Sequence, residues 1–218
     1  MTPDKYPGRL ILFEGPEGGG KSTLIKVMAE RLRVNLGLGV VVTKEPGHNT
    51  ELGKRVRERL LHDKTLTNEE ELRFFIEESR TDHFNVIVIP ALKANKIVLC
   101  DRSSKSTLAY QYYARGMDKT DILVRDARAR RNVNFDLILL LDIDPVIGLA
   151  RKDRDNRFER ETLEFHRKVR AGYLDMARTD VEKKWVVIDA NQPLEIVQAL
   201  AWSAIYDFLL NSIEVITR

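Results

Sequence analysis

Cysteine is nearly absent from this chain. Cys100 is the single cysteine of 218 residues, so no internal disulfide can hold the fold together. It ends an apolar run and reads as an inert core thiol. Long hydrophobic runs are missing too. No stretch approaches the roughly 20 apolar residues that a membrane-spanning helix needs, so no membrane partner is expected. The opening residues 1–9 lead into a short apolar strand without the pattern of a signal peptide, and a cytoplasmic location is the expectation. Charge is not biased enough to bind a polyanion. A formal net charge of +3 argues against a nucleic-acid partner and suits a small anionic substrate. No repeat, low-complexity tract or linker divides the chain.

A composition of 43% hydrophobic and 32% charged residues suits one compact α/β domain over residues 1–218. Five short apolar runs read as strands, at 9–13, 40–43, 96–100, 135–141 and 185–188. Runs this continuously apolar are buried on both faces, as in a parallel sheet covered by helices. Helical patterns fall between them, near 21–36, 51–62, 68–94, 104–115, 118–131, 145–152, 159–178 and 193–211. Strands and helices alternating in this way predict a doubly wound, five-stranded parallel sheet with helices on both faces. Pro90, late in the 68–94 pattern, should kink or end that helix.

The sharpest motif follows the first strand and opens the first long helix. Gly15, Pro16, Glu17, Gly18, Gly19, Gly20, Lys21, Ser22 and Thr23 fit the phosphate-binding pattern G-x-x-x-x-G-K-[ST]. Glycines let the backbone wrap a phosphate with its N–H groups turned inward, and the helix N-terminus adds partial positive charge. Lys21 is placed to neutralise the outer phosphates of ATP and Ser22 to ligate Mg²⁺. The bland alternative is a glycine-rich turn with no ligand. Many phosphotransferases and switches share this loop, so the rest of the chain must separate them.

Asp101 and Arg102 fall at the end of the third strand, the edge where open α/β sheets bind ligands. Asp101 can hold a magnesium-bound water, and Arg102 can bridge phosphates as a planar fork. Read alone, the pair could equally be a surface ion pair at the start of the next helix. A run of charge at 151–160 carries five basic and three acidic residues. It is either a solvated surface or a lid whose arginines reach the phosphoryl group in transit.

From about Leu10 to Leu210 the order of motifs resembles the thymidylate kinase family. The elements are the P-loop with an acid at Glu17, the turn Lys44-Glu45-Pro46-Gly47, and Arg57 ahead of Leu60 and Leu61. After these come Arg80 and His83 leading to Pro90-Ala91-Leu92, then Asp101-Arg102, then Ser106 with Ala109-Tyr110-Gln111. The run 141–145, then Gly148 to Arg151, then Tyr173 to Ala177 complete the series.

The resemblance implies a P-loop nucleotide kinase that moves the γ-phosphoryl of ATP to dTMP, uses Mg²⁺ at Ser22 and Asp101, and works as a homodimer. It implies catalytic roles for Lys21, Asp101, Arg102, Arg154 and Arg157. Glu17 would take the sugar 3′-hydroxyl, and Arg57, Arg80 and Arg102 the acceptor phosphate and base edge. Thr107 would bond the thymine, Tyr110 would exclude a 2′-hydroxyl, and Gln111 lies beside them. Glu14, just before the loop, is a candidate support for magnesium or for the loop. The resemblance also implies a cis peptide before Pro46. Because Gly18 and Gly19 leave the P-loop without arginine, the chain looks like the kind of member that carries its arginines in the lid.

One position departs from the family. Four residues before Arg80, where the family has a base-stacking Phe, stands Ile76, with aromatics one and two positions earlier at Phe75 and Phe74. On a regular α-helix one residue is a turn of about 100°, so either the helix is locally shifted or Ile76 covers the base; the second needs no distortion and is the expectation. A deoxynucleoside kinase is the rival reading, since Asp101-Arg102-Ser103 resembles an acid-Arg-Ser motif. The supply of arginines favours a phosphorylated acceptor. A non-catalytic ATP-binding switch is the rival from another class.

Overall fold

The computed structural model describes residues 6–46, 50–152 and 156–214, with side chains to residue 211. Five strands form one parallel sheet: β1 Arg9–Glu14, β2 Val40–Lys44, β3 Ile97–Asp101, β4 Leu137–Asp142 and β5 Trp185–Asp189, in the order β2-β3-β1-β4-β5. The period of two along β1 splits its residues between two cores. Ile11 and Phe13 face α1 (Lys21–Leu36) and the C-terminal helix Leu194–Glu214, while Leu10 and Leu12 pack with Phe84, Val88 and Leu92 on the other side. Burial on both faces is why the inner strands β1, β3 and β4 read as unbroken apolar runs, while the edge strands β2 and β5 leave Val42 and Val187 exposed. β1 is the central strand, and the chain winds to β2 and β3 on one side and β4 and β5 on the other. The C-terminal edge of β1 is therefore a topological switch point.

α1 begins where Gly20 adopts φ 82° and ends at Gly37, whose left-handed conformation returns its N–H to the carbonyls of Leu32 and Arg33. α2 (Glu51–His62) is capped by the Thr50 hydroxyl. The third helical rod, α3, is not uniform. It joins α-helical Asn68–Arg73, a π-helical stretch Phe74–Arg80, α-helical Thr81–His83, a second π-helical stretch Phe84–Val88 and α-helical Ile89–Lys93. Pro90 thus stands at the start of a fresh α-helical turn, where its missing N–H costs little, and the rod runs three residues past it.

α4 comprises Ser104–Thr107 and a π-helical continuation Leu108–Ala114, and α5 spans Lys119–Ala129. α6 (Pro145–Ala150) and α7 (Leu163–Arg178) flank the charged run, and Leu194–Glu214 is α8. α7 starts four residues later than its pattern predicts, because the Thr162 hydroxyl accepts the Phe165 N–H and caps it there.

Candidate active site

The P-loop wraps the end of β1 under tight steric control. A Cβ on Gly15, which has φ 136°, would lie 2.3 Å from the Leu141 carbonyl oxygen. One on Gly18 would lie 2.0 Å from the carbonyl oxygen of Gly148, and one on Gly148 2.2 Å from that of Glu17. The glycines let loop and α6 touch backbone to backbone. The Lys21 ammonium donates to the carbonyls of Gly15 (2.9 Å) and Pro16 (2.8 Å), so it lies across the loop. Burial, and then Arg102 nearby, hold it down at about 8.

β3 delivers the opposite wall. Asp101 accepts the Ser22 hydroxyl at 2.7 Å, which joins the first residues of α1 to the strand end. Among the described residues no cluster of three His, Cys, Asp or Glu side chains is arranged to hold a metal. One carboxylate and one hydroxyl beside a phosphate nest nevertheless fit Mg²⁺, which keeps its waters and takes its remaining ligands from substrate phosphates.

Arg102 has φ 65°, a strained conformation for a side-chain-bearing residue, of order 1–3 kcal/mol. It is held there by its N–H to the Phe13 carbonyl and by guanidinium bonds to Gly15 O, Ser106 Oγ, Tyr173 Oη and Glu17 Oε1. Glu17 also accepts the Tyr110 hydroxyl at 3.0 Å. Burial would raise the Glu17 carboxyl, but Arg102, Lys21 and Tyr110 outweigh it and hold it at about 2.

Beneath them lies a buried polar layer. Glu14 accepts the Ser103 and Ser106 N–H groups, the Ser106 hydroxyl and the Tyr173 hydroxyl. Burial pushes this carboxyl up. The residue therefore fastens β1 to the first turn of α4. Arg80 is 1% exposed, with Nε on Glu45 (2.7 Å), Nη1 on Asp126 (2.7 Å) and Nη2 on Thr107 (3.0 Å). Two carboxylates thus offset its charge, which makes it a fixed donor frame for Thr107 more than a free phosphate clamp. His83 and Ser103 complete the shell of Glu45, and the Glu45–Pro46 peptide is cis. Gly47 of the same turn lies outside the described residues.

A cavity of about 390 Å³ joins these parts. The structure brings Gly18, Lys21, Ser22, Asp101, Arg102 and Glu17 to it from the donor side. Arg57, Arg80, Thr107, Tyr110 and Gln111 reach it from α2, α3 and α4. Gly19, Gly20 and Thr23 also line it. Four expected residues among those described do not: Gly15 and Pro16, whose carbonyls face Lys21, and Ile76 and Arg157. Ile76 is fully buried among Leu72, Leu108, Ile122 and Ala129, and the side chain on the cavity is Phe75.

The reason is the π-helical stretch Phe74–Arg80. Its wider i→i+5 turns rotate each residue less than an α-turn does, which swings Phe75 round toward the face of Arg80. Arg157 also lies off the cavity. Its guanidinium pairs with buried Glu71 at 2.8 Å, and its backbone N–H and side chain bond the carbonyls of Leu61 and Asp63 at the end of α2. A helix C-terminus attracts a cation to its unpaired carbonyls. Arg154 lies outside the described residues. From the charged run, the side chains at the cavity are Arg151, Lys152, Asn156, Phe158 and Glu159. Of these, Phe158 stands out in the sequence as the one apolar side chain among the ten residues 151–160.

This geometry, a P-loop on the central strand of a parallel sheet facing an Asp-Arg strand end and an acceptor pocket, defines a P-loop phosphotransferase. The family model described as thymidylate kinase matches residues 13–201. A thymidylate kinase of Magnetococcus marinus is 41% identical over 201 residues, covering 89% of this chain and 94% of the relative. Those of Synechococcus sp. strain JA-3-3Ab and Thermomicrobium roseum are 39% and 40% identical, covering 93% and 91% of this chain and 98% and 95% of their own lengths. The chain belongs to the thymidylate kinase family.

Proposed function

We propose that this enzyme transfers the γ-phosphoryl group of ATP to dTMP, giving dTDP and ADP. The observation that carries the reading is a single cavity lined on one side by Lys21 and Ser22 and on the other by Arg57, Arg80, Thr107 and Tyr110. In the transfer, the bond from phosphorus to the β-phosphate oxygen of ATP breaks, and one to an oxygen of the dTMP phosphate forms. Lys21 leaves the loop carbonyls for the outer phosphates, and Arg102 faces the charge that spreads between donor and acceptor. Glu17, ionised and aimed by Arg102 and Tyr110, accepts the sugar 3′-hydroxyl. The Tyr110 ring fills the space of a 2′-hydroxyl. Thr107, oriented by Arg80, bonds the base edge, and Phe75 takes the stacking position assigned on sequence to Ile76. Arg151 and Lys152 are the lid cations already at the cavity.

Ser22 and Asp101 are the residues that would hold Mg²⁺, whose contribution is to neutralise phosphate charge. The same reading includes a cytoplasmic homodimer of one kinase domain with a lid at about 151–160, and no nucleic-acid or membrane partner. It draws support from family membership and the mild net charge.

A coupled ADP-release assay with ATP, Mg²⁺ and a panel of nucleoside monophosphates plus thymidine tests it. dTMP should be the best acceptor and thymidine inert. Turnover of thymidine without dTMP would make it a nucleoside kinase. ADP release indifferent to every acceptor would make it a switch.

A further inference from the structure

Glu71 lies on α3 one turn before Phe75, and no part of the proposed chemistry uses it. Its side chain is 0% exposed. Three groups from distant parts of the chain converge on that carboxylate. Gln111 donates from its Nε2 at 2.6 Å, the Arg115 guanidinium approaches at 3.3 Å, and Arg157 Nη2 at 2.8 Å. Arg115 extends the network to Glu161 at 3.0 Å. One buried anion therefore joins α3, the acceptor helix α4 and the segment 156–161.

That segment forms a wall of the acceptor pocket. Phe158, next to Arg157, places its ring 6.0 Å from Phe75 and 6.0 Å from Tyr110. Without Glu71, Arg115 and Arg157 would be two like charges, each about 15% exposed or less, with no shared counter-ion between them. Glu161 still pairs with Arg115, and the Leu61 and Asp63 carbonyls still hold Arg157, but neither bridges the two arginines, so the wall would sit less firmly against the pocket.

We propose that Glu71 is a positioning residue for the acceptor: through Arg157 it seats Phe158 against Phe75 and Tyr110 and so completes the dTMP pocket. The donor side, built on the P-loop, does not depend on it. The inference rests on the dTMP kinase reading.

The test is steady-state kinetics of the full chain for Glu71→Gln, Arg157→Ala and the double variant, with thermal unfolding alongside. Gln keeps the size and an acceptor for Gln111 but loses the charge. The expected result is a KM for dTMP raised about tenfold in each single variant, with KM for ATP unchanged and the double variant no worse than the worse single. Unchanged dTMP KM, additive losses, or a parallel rise in both KM values with a lowered Tm would overturn the proposal in favour of a purely structural network. If Glu71→Gln does not fold, Arg157→Ala, at the network's more exposed end, carries the same comparison of the two KM values. Wild-type protein with no dTMP-dependent ADP release would remove the underlying reading instead, so the two failures are distinguishable.

Discussion

The polar groups of the site hold one another in place: Lys21 bonds loop carbonyls, Arg102 pairs with Glu17, and Ser22 bonds Asp101. Lys21 carries a pH consequence. Burial, then Arg102, set it at about 8. The free protein therefore loses this charge as pH rises through that value, while an unfolded chain keeps it. Lys21 accordingly makes the fold more stable with rising pH over that window, because the unfolded state binds the extra proton. Phosphate binding works the other way, since an anion favours the ammonium. ATP binding at about pH 9 should then take up a proton, seen as a dependence of calorimetric heat on buffer ionisation enthalpy, and Lys21→Met should abolish that dependence. Arg80 makes a different prediction. Replacing it by Met leaves buried Glu45 with His83 and Ser103 and buried Asp126 with Ser104 and Arg130, each short of one cation, and urea unfolding should show a loss of about 3–5 kcal/mol.

At the level of helices, the π-helical stretch Phe74–Arg80 decides which side chain meets the acceptor. Phe75→Leu should leave stability nearly intact and raise the KM for dTMP up to about tenfold, the scale of a lost aromatic contact of roughly 0.5–1.5 kcal/mol. Ile76→Ala should do the reverse, costing about 2–5 kcal/mol of stability as a core cavity, with KM little changed. Helix α6 makes a second such test. A Cβ at Gly148 would come within 2.2 Å of the Glu17 carbonyl oxygen, which is backbone and cannot swing aside. Gly148→Ala should push α6 from the P-loop, lose about 1–3 kcal/mol in thermal unfolding, and raise the KM for ATP more than that for dTMP.

Across the whole molecule, the P-loop and the residues of α2, α3 and α4 line one cavity between elements far apart in sequence, so ligands bound there should stabilise the fold as a unit. A non-hydrolysable ATP analogue with Mg²⁺, or dTMP, each at about 100 times its Kd, should add about 2.7 kcal/mol of stability. In a chain of this size that raises Tm by about 5–11 °C, measurable by scanning calorimetry. A dTMP effect that vanished in Arg57→Ala with the ATP effect intact would confirm that Arg57 serves the acceptor.

Much of this was legible in the order of residues. The P-loop is local chemistry, since nine consecutive residues carry both the nest and the helix N-terminus, and the inner strands announce themselves because burial on both faces leaves few polar positions. Asp101 and Arg102 are expected at the cavity from their place at a strand end, Tyr110 and Arg80 only from the resemblance to the family. Two placements could not be read that way. Counting 3.6 residues per turn puts Ile76 on the pocket. The hydrogen bonds shift to i→i+5 over Phe74–Arg80, and Ile76 turns into an apolar core that α4 and α5 complete, so Phe75 faces the cavity. Charge density marked Arg157 for the phosphates. Its position depends on a buried carboxylate 86 residues earlier and on the open carbonyls at the end of α2, partners that meet only after the chain has folded.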